Sequence, residues 1–273
     1  MEKIFSYQNK NFSVMGDSIS TLLGCNPPDY EVFYKWDECF KANVFSSSDT
    51  WWGMVMEALG GFRLINNSFS GTLVCKEDAC KIESYGCSDE RTSGLGTEEE
   101  SPDVIMILMG LNDFGKGMQI FPDSNKKAAS CRSQLLAYPS FACIQTMQNG
   151  EVDSSNFPWY KKDLTVFSVA YDTMLKKIKS NYPEAEIWCL TLPYGYRKNA
   201  PDQKPPLVHY GHHISEYCEA IRICAAENGC KLLDIFHPEA PYDTIDDHHP
   251  NLDGMKTIAK DVLYALERLE THK

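Results

Sequence analysis

The chain has 273 residues, 43% of them hydrophobic, and a formal net charge of -12 at pH 7. That length supports a full core in one large domain. The acidic balance argues against the basic stripes that nucleic-acid binding needs, and no run nears the roughly 18 apolar residues of a membrane span, so neither nucleic acid nor membrane is expected as a partner. The start, Met1-Glu2-Lys3-Ile4, carries no apolar signal core, and the 11 cysteines are an odd number. Both features lead to the expectation of reduced thiols in a cytoplasmic protein. Cys75, Cys80 and Cys87, and likewise Cys218, Cys224 and Cys230, cluster without the tight pairs of a structural zinc site. The second cluster reads as small buried hydrophobes along a helix.

In chain order, residues 12–15 form a short apolar run that breaks at Gly16, and Asp17-Ser18 follows. A strand ends there and presents a hydroxyl at a sheet edge; taken alone, such a serine is most simply a turn or cap residue. Residues 21–24 open a short helix that Cys25-Asn26-Pro27-Pro28-Asp29 stops. Residues 29–48, with Tyr30, Phe33, Tyr34 and Trp36, lack an apolar period and are expected as a surface loop near the serine edge. Asp49 or Thr50 caps a helix with Trp51, Trp52, Val55, Met56 and Leu59 on its apolar side, ended by Gly60-Gly61.

Residues 62–65 are the second strand, running into Asn66-Asn67-Ser68-Phe69-Ser70-Gly71-Thr72. Residues 73–101 form a connection with room for one short helix. The unbroken apolar run 104–109 is a central parallel strand, buried on both faces, and it stops at Gly110-Leu111-Asn112-Asp113. Residues 115–160 carry Pro122, Pro139 and Pro158 without a clear period and are expected as an inserted lid or binding loop. A helix over 164–181, a strand over 187–192, a Pro-rich loop over 194–210, a helix over 214–227 and a strand over 231–236 follow. A loop over 237–250 and a helix over 252–269 close the chain. This alternation predicts one α/β domain over 1–273, with loop insertions near 29–48 and 115–160. Its architecture is a three-layer α/β/α sandwich around a central, mostly parallel five-stranded sheet.

In such a sheet, ligands sit beyond the carboxyl ends of the strands. The last loop, Asp246-Asp247-His248-His249-Pro250, brings candidate base and carboxylate to that edge. Asp246 and His249 are three apart, so on one helical turn their side chains meet. The carboxylate would then fix the tautomer and leave the other ring nitrogen free as a base. His248 is a rival base, and Asp243 and Asp247 are rival orienting carboxylates, but the three-residue spacing favours Asp246 with His249 over Asp247 with His248, which point different ways. Gly71 lets backbone approach a ligand closely, and Asn112 offers an amide; both suit the stabilisation of an oxyanion.

Taken together, these residues resemble the SGNH hydrolases, the GDSL esterase/lipase family. Gly16-Asp17-Ser18-Ile19 matches its first block, Gly71 its second, Gly110-Leu111-Asn112-Asp113 its third, and Asp246 to Pro250 its last. The resemblance implies a flavodoxin-like SGNH fold with Ser18 as nucleophile, His249 as base and Asp246 as orienting carboxylate. It implies an oxyanion hole from the N–H groups of Ser18 and Gly71 and the amide of Asn112, an acyl-enzyme intermediate, and no metal or cofactor. The expected activity is hydrolysis of short-chain acyl esters, acetyl among them. An acylated carbohydrate is the candidate substrate, because Tyr30, Tyr34, Trp36, Trp51 and Trp52 lie where they could stack on sugar rings, unless Trp51 and Trp52 serve helix packing. Lipase or thioesterase chemistry at the same site is the alternative within the enzyme class. A catalytically inactive binding protein is the alternative outside it.

Overall fold

Five apolar runs pair side by side into one parallel sheet. The computed structural model describes residues 7–76, 85–122, 163–200, 202 and 204–271; most of the 115–160 insertion and Cys80 lie outside the described residues. The strands are β1 (Asn11–Gly16), β2 (Phe62–Asn66), β3 (Val104–Leu108), β4 (Glu186–Leu190) and β5 (Lys231–Leu233), in the order β2-β1-β3-β4-β5 with every pairing parallel. Among the described residues the helices are α1 (Asp37–Ala42), α2 (Trp51–Leu59), α3 (Asp89–Ser93), α4 (Leu111–Lys116), α5 (Phe167–Asn181), α6 (Ile214–Glu227) and α7 (Leu252–Thr271).

Strand geometry sends alternate side chains to opposite faces, and β3 shows why the sheet must be covered twice. Val104, Met106 and Leu108 join a core with α2 and α7 residues such as Val55 and Met255. Ile105, Ile107 and Met109 join a second core with α5 and α6 residues such as Tyr171 and Tyr217. The predicted three-layer α/β/α sandwich is therefore the observed one. In this strand order the winding reverses between β1 and β3, and the crevice at such a switch point is where open α/β sheets bind ligands. Ser18 follows β1 and Asn112 follows β3. Among the described residues no helix is long and apolar enough to cross a membrane.

Several local expectations are corrected. Residues 21–24 form no helix. The N–H of Leu22 goes to Asn26 Oδ1 at 2.8 Å and that of Leu23 to the Tyr34 carbonyl at 3.0 Å, so neither serves a helical ladder. Residues 29–48 are not simply surface loop: they contain α1 and a 3-10 turn at Ser47–Asp49, and Tyr34 is fully buried. The fifth strand ends at Leu233 instead of 236, because the N–H groups of Ile235 and Phe236 both turn to Thr191 Oγ1, at 2.8 and 3.0 Å. Helix α5 starts at Phe167 instead of 164, since Asp163 captures the N–H groups of Thr165 and Val166 in a tight turn.

Helix α2 begins as expected, with Thr50 Oγ1 accepting from Gly53 N at 3.1 Å. Its two tryptophans are core residues with no exposed surface. Trp51 Nε1 donates to Ser20 Oγ at 3.1 Å and Trp52 Nε1 to the Ser20 carbonyl at 3.0 Å. They brace the serine turn from behind and, with Tyr34, are not available to stack on a sugar.

Candidate active site

The serine turn is built from its capping residue. Gly16 ends β1, and a Cβ there would meet Ser20 Cβ at 2.5 Å, so only glycine lets the chain fold back so tightly. Asp17 caps the 3-10 turn Ser18–Ser20 by accepting from Ile19 N at 3.0 Å. Its carboxyl is almost fully buried, and burial pushes it up to about 6 against the opposing pull of the Ile19 N–H and the charges of His249 and Arg91. Thr21 Oγ1 donates to the Ser18 carbonyl at 2.9 Å and in turn accepts from Phe33 N at 2.9 Å. The aromatic segment is thus tied to the serine turn.

The histidine loop meets it from the far end of the chain. Asp246 Oδ1 accepts from the backbone N–H groups of His248 at 2.9 Å and His249 at 2.7 Å. Its Oδ2 lies 2.7 Å from His249 Nδ1, and His249 Nε2 lies 2.8 Å from Ser18 Oγ. The three-residue spacing works, but not on a helical turn: residues 245–248 are a bend, held by the aspartate's own side chain folding onto the backbone ahead of it. Burial pushes the Asp246 carboxyl up, yet hydrogen bonds from the His249 ring and the two backbone N–H groups outweigh it and hold the group well below the usual carboxylate range.

The rivals are otherwise engaged. Asp243 accepts from Asn251 Nδ2 at 2.7 Å and Lys198 N at 2.9 Å, and Asp247 lies 3.4 Å from Arg197 Nη2. His248 is exposed, and its carbonyl accepts from Tyr242 Oη at 2.7 Å. Tyr34 Oη donates to the Pro250 carbonyl, also at 2.7 Å. These two buried hydroxyls clamp the backbone on both sides of His249. Asp246, His248 and His249 place possible metal-ligand atoms within 4.8 Å of one another, but both ring nitrogens of His249 are already engaged, by Asp246 and Ser18.

The expected oxyanion donors occupy the neighbouring strand ends. Asn67 N donates to the Val14 carbonyl at 2.8 Å and Phe69 N to the Gly16 carbonyl at 3.1 Å, which docks residues 67–72 on the end of β1. Thr72 N returns to the Phe69 carbonyl at 3.4 Å and closes a turn with Gly71 at φ 77°. A positive φ at that place selects glycine; space does not, since a Cβ on Gly71 would meet nothing within 4 Å. Neither Ser18 N–H nor Gly71 N–H has an acceptor among the described residues. Asn112 Nδ2 donates one hydrogen to the Thr72 carbonyl at 2.9 Å, leaving its second amide hydrogen. Ser18 and Asn112 line one cavity of about 340 Å³ together with Leu111, Phe114, Tyr194 and His209; Gly71 is not among its walls.

Some residues around the site have a role that the sequence does not assign. Phe33 stacks on His249, and nothing in its local pattern marks it. Asp113, adjacent to Asn112 in the third motif, is fully buried and accepts from Val74 N at 2.9 Å and Cys75 N at 3.0 Å, so it ties the segment after Thr72 to α4. Burial pushes its carboxyl up despite these bonds. Arg91 of α3 is fully buried as well, behind the serine turn. The arrangement offers a hydroxyl, a base oriented by a carboxylate, and unengaged N–H donors on the neighbouring strand-end loops. That is the equipment for nucleophilic acyl transfer.

Comparison with known proteins agrees with this construction. The family whose model matches the chain is GDSL-like Lipase/Acylhydrolase, over residues 10–154. A solved structure from Bacteroides ovatus ATCC 8483, described as a GDSL-like lipase, superposes with a TM-score of 0.64 at 21% identity, covering 96% of this chain and 99% of that one. A GDSL-like lipase structure from Bacteroides uniformis ATCC 8492 gives 0.63 at 21% identity, covering 98% and 100%. A family 2 carbohydrate esterase with a carbohydrate-binding domain, from Corynascus thermopiles (Myceliophthora fergusii), gives 0.51 at 16% identity, covering 96% of this chain and 68% of that one. These likenesses extend over the whole fold. No curated protein matches the sequence.

Proposed function

This chain belongs to the GDSL-like lipase/acylhydrolase family, the SGNH hydrolases, and we propose that it is a serine esterase acting on short-chain acyl esters through Ser18, His249 and Asp246. The observation that carries this reading is the continuous path from Ser18 Oγ to His249 Nε2 at 2.8 Å and from His249 Nδ1 to Asp246 Oδ2 at 2.7 Å. In the first half-reaction Ser18 Oγ attacks the acyl carbon and gives its proton to His249 Nε2. The tetrahedral oxyanion is met by the N–H groups of Ser18 and Gly71 and by the free amide hydrogen of Asn112. Collapse breaks the bond to the alcohol oxygen, which takes the proton from His249. In the second half a water attacks the acyl carbon, passes a proton to His249, and the acid leaves as Ser18 Oγ recovers its hydrogen. Asp246 holds the ring in the tautomer with Nδ1–H and stabilises the imidazolium in both halves.

For the substrate, an acylated carbohydrate is the favoured class. Its support is narrower than five aromatic residues suggested. Trp36 is 71% exposed and Tyr30 half-buried, whereas Tyr34, Trp51 and Trp52 lie in the core. A second reading, hydrolysis of acyl chains longer than acetyl, is favoured by the apolar Leu111, Phe114 and Ile214 in the cavity wall. A p-nitrophenyl ester series from acetate to decanoate, run beside acetate release from acetylated oligosaccharides, separates the two. A rate maximum at long chains would sink the short-chain reading, and full turnover by Ser18→Ala would sink the mechanism.

A further inference from the structure

We propose that Arg91 is a positioning residue of this site: its buried guanidinium holds the turn that carries Gly71 in fixed register with the turn that carries Ser18. The proposal rests on the Ser18 reading above. Arg91 lies on the short helix α3 and has no exposed surface. Its Nη2 donates to the Gly16 carbonyl at 3.0 Å, two residues before Ser18, and to the Asn67 carbonyl at 2.9 Å. Its Nε donates to Asn67 Oδ1 at 2.7 Å and its Nη1 to Thr72 Oγ1 at 3.3 Å, next to Gly71. Nη2 also approaches Met109 Sδ at 3.9 Å, one residue before Gly110. One planar group therefore touches the ends of β1, β2 and β3, the three strand ends whose loops bear Ser18, Gly71 and Asn112.

The third donor is reached through the same residue. The Thr72 carbonyl accepts from Asn112 Nδ2 at 2.9 Å, so a shift of Thr72 moves both Gly71 and the anchor of Asn112. The Gly16 carbonyl is shared as well, accepting from Phe69 N at 3.1 Å on the turn that contains Gly71. Burying a guanidinium is costly unless its donors are used, and here they are spent on the loops of the site. Asn67 Nδ2 donates back to the Gly94 carbonyl at 2.8 Å, and Tyr30 lies 5.7 Å from the guanidinium carbon. Burial lowers Arg91 to about 10, against the charges of Tyr30, Asp17 and Glu90, so the group stays cationic at neutral pH. Only arginine offers this flat fork; a lysine would keep the charge and lose the geometry. Displacing a positioned group by about 1 Å can cost on the order of 10²-fold in rate.

The test is steady-state hydrolysis of p-nitrophenyl acetate by Arg91→Lys, with inhibition by an aryl trifluoromethyl ketone, whose hemiketal oxygen occupies the oxyanion position. We expect a folded variant with kcat lower by about 10- to 100-fold, KM within about 3-fold, and a Ki that rises in step with the loss of kcat/KM. The pH dependence of kcat/KM should keep its shape, because the path from Ser18 to Asp246 is untouched. Asn67→Ala, which removes one acceptor and leaves Arg91 in place, should show the same pattern more weakly. A folded Arg91→Lys with kcat near wild type, or one that loses kcat without any rise in Ki, would overturn the proposal. If Arg91→Lys does not fold, Asn67→Ala decides, and a folded Asn67→Ala with unchanged kcat and Ki overturns it. Wild-type protein that neither hydrolyses the ester nor labels at Ser18 with a fluorophosphonate would instead overturn the Ser18 reading, and this one with it.

Discussion

Phe33 lies flat against His249, with ring centroids 3.4 Å apart and planes 8° from parallel. Two hydrogen bonds fix the imidazole within its own plane, at Nδ1 and Nε2; the Phe33 ring blocks rotation out of that plane. Phe33 is held there by its backbone N–H on Thr21 Oγ1, and that same hydroxyl bonds the Ser18 carbonyl. Ser18 and His249, the proposed nucleophile and base, thus share one scaffold. Phe33→Ala should lower kcat by about 10-fold with little change in KM, as expected for a group that orients the base rather than holds substrate. Phe33→Tyr should retain most of the rate. Steady-state kinetics on p-nitrophenyl acetate measure both.

Asp246→Asn should cost about 10³- to 10⁴-fold in kcat while leaving the protein folded, since an amide can donate to the ring and stabilise the wrong tautomer. The same variant makes a prediction about acid stability. Hydrogen bonding depresses the Asp246 carboxyl in the folded state. Its contribution is therefore fully present above the ordinary aspartate range and is lost as pH falls toward the depressed folded value. Melting curves should show wild type exceeding Asp246→Asn at pH 7, with the gap closing below about pH 4. A gap that persists or widens in acid would contradict this.

Asp17→Asn should act in the opposite sense. Burial raises this carboxyl to about 6, so the folded state holds its proton more tightly than the unfolded chain. Stability then declines as pH rises from the ordinary aspartate range through about 6, a loss worth up to about 3 kcal/mol. An asparagine keeps an oxygen to accept from Ile19 N and has no charge to bury. We expect Asp17→Asn to be more stable than wild type at pH 8 and equal to it near pH 4, as read by urea unfolding at the two pH values. Equal stability at pH 8 would reject the account.

The proposed oxyanion donors separate by the kind of damage their loss causes. Gly71→Ala meets no clash but forces alanine into a left-handed conformation, at a cost of about 1–2 kcal/mol. The variant should fold with a modestly lower melting temperature and lose activity as the N–H turns away. Asn112→Ala should lose about 10²- to 10³-fold in kcat, with KM little changed. Wild-type kcat for Asn112→Ala would remove its amide from the mechanism.

Much of this architecture is legible along the chain because it follows from local rules. An unbroken apolar run such as 104–109, stopped by Gly110, reads as a strand covered on both faces, and Gly16 and Gly110 sit where strands end. The misreadings arise where backbone N–H groups find acceptors outside the regular ladder, some a few residues away, as at Asn26 and Asp163, and some remote in sequence, as at the Tyr34 carbonyl and Thr191. Asn26 and Tyr34 prevent a helix at 21–24, and Thr191 ends the fifth strand early. Trp51 and Trp52 satisfied both readings offered for them until Ser20 took their indole N–H groups in the core.

What the sequence by itself determined is which groups reach the carboxyl edge of the sheet: Ser18, Gly71, Asn112, Asp246 and His249. Each is placed by a strand end or a short loop, and strand periodicity and turn chemistry are properties of neighbouring residues. What only the tertiary structure decided is how those groups face one another. The spacing already favours Asp246 with His249; the tertiary structure brings that pair to Ser18 through a bend and not a helical turn, with Tyr34 and Tyr242 clamping the backbone on both sides of His249. A side chain's direction in an irregular loop depends on hydrogen bonds to partners that are near only once the chain has folded.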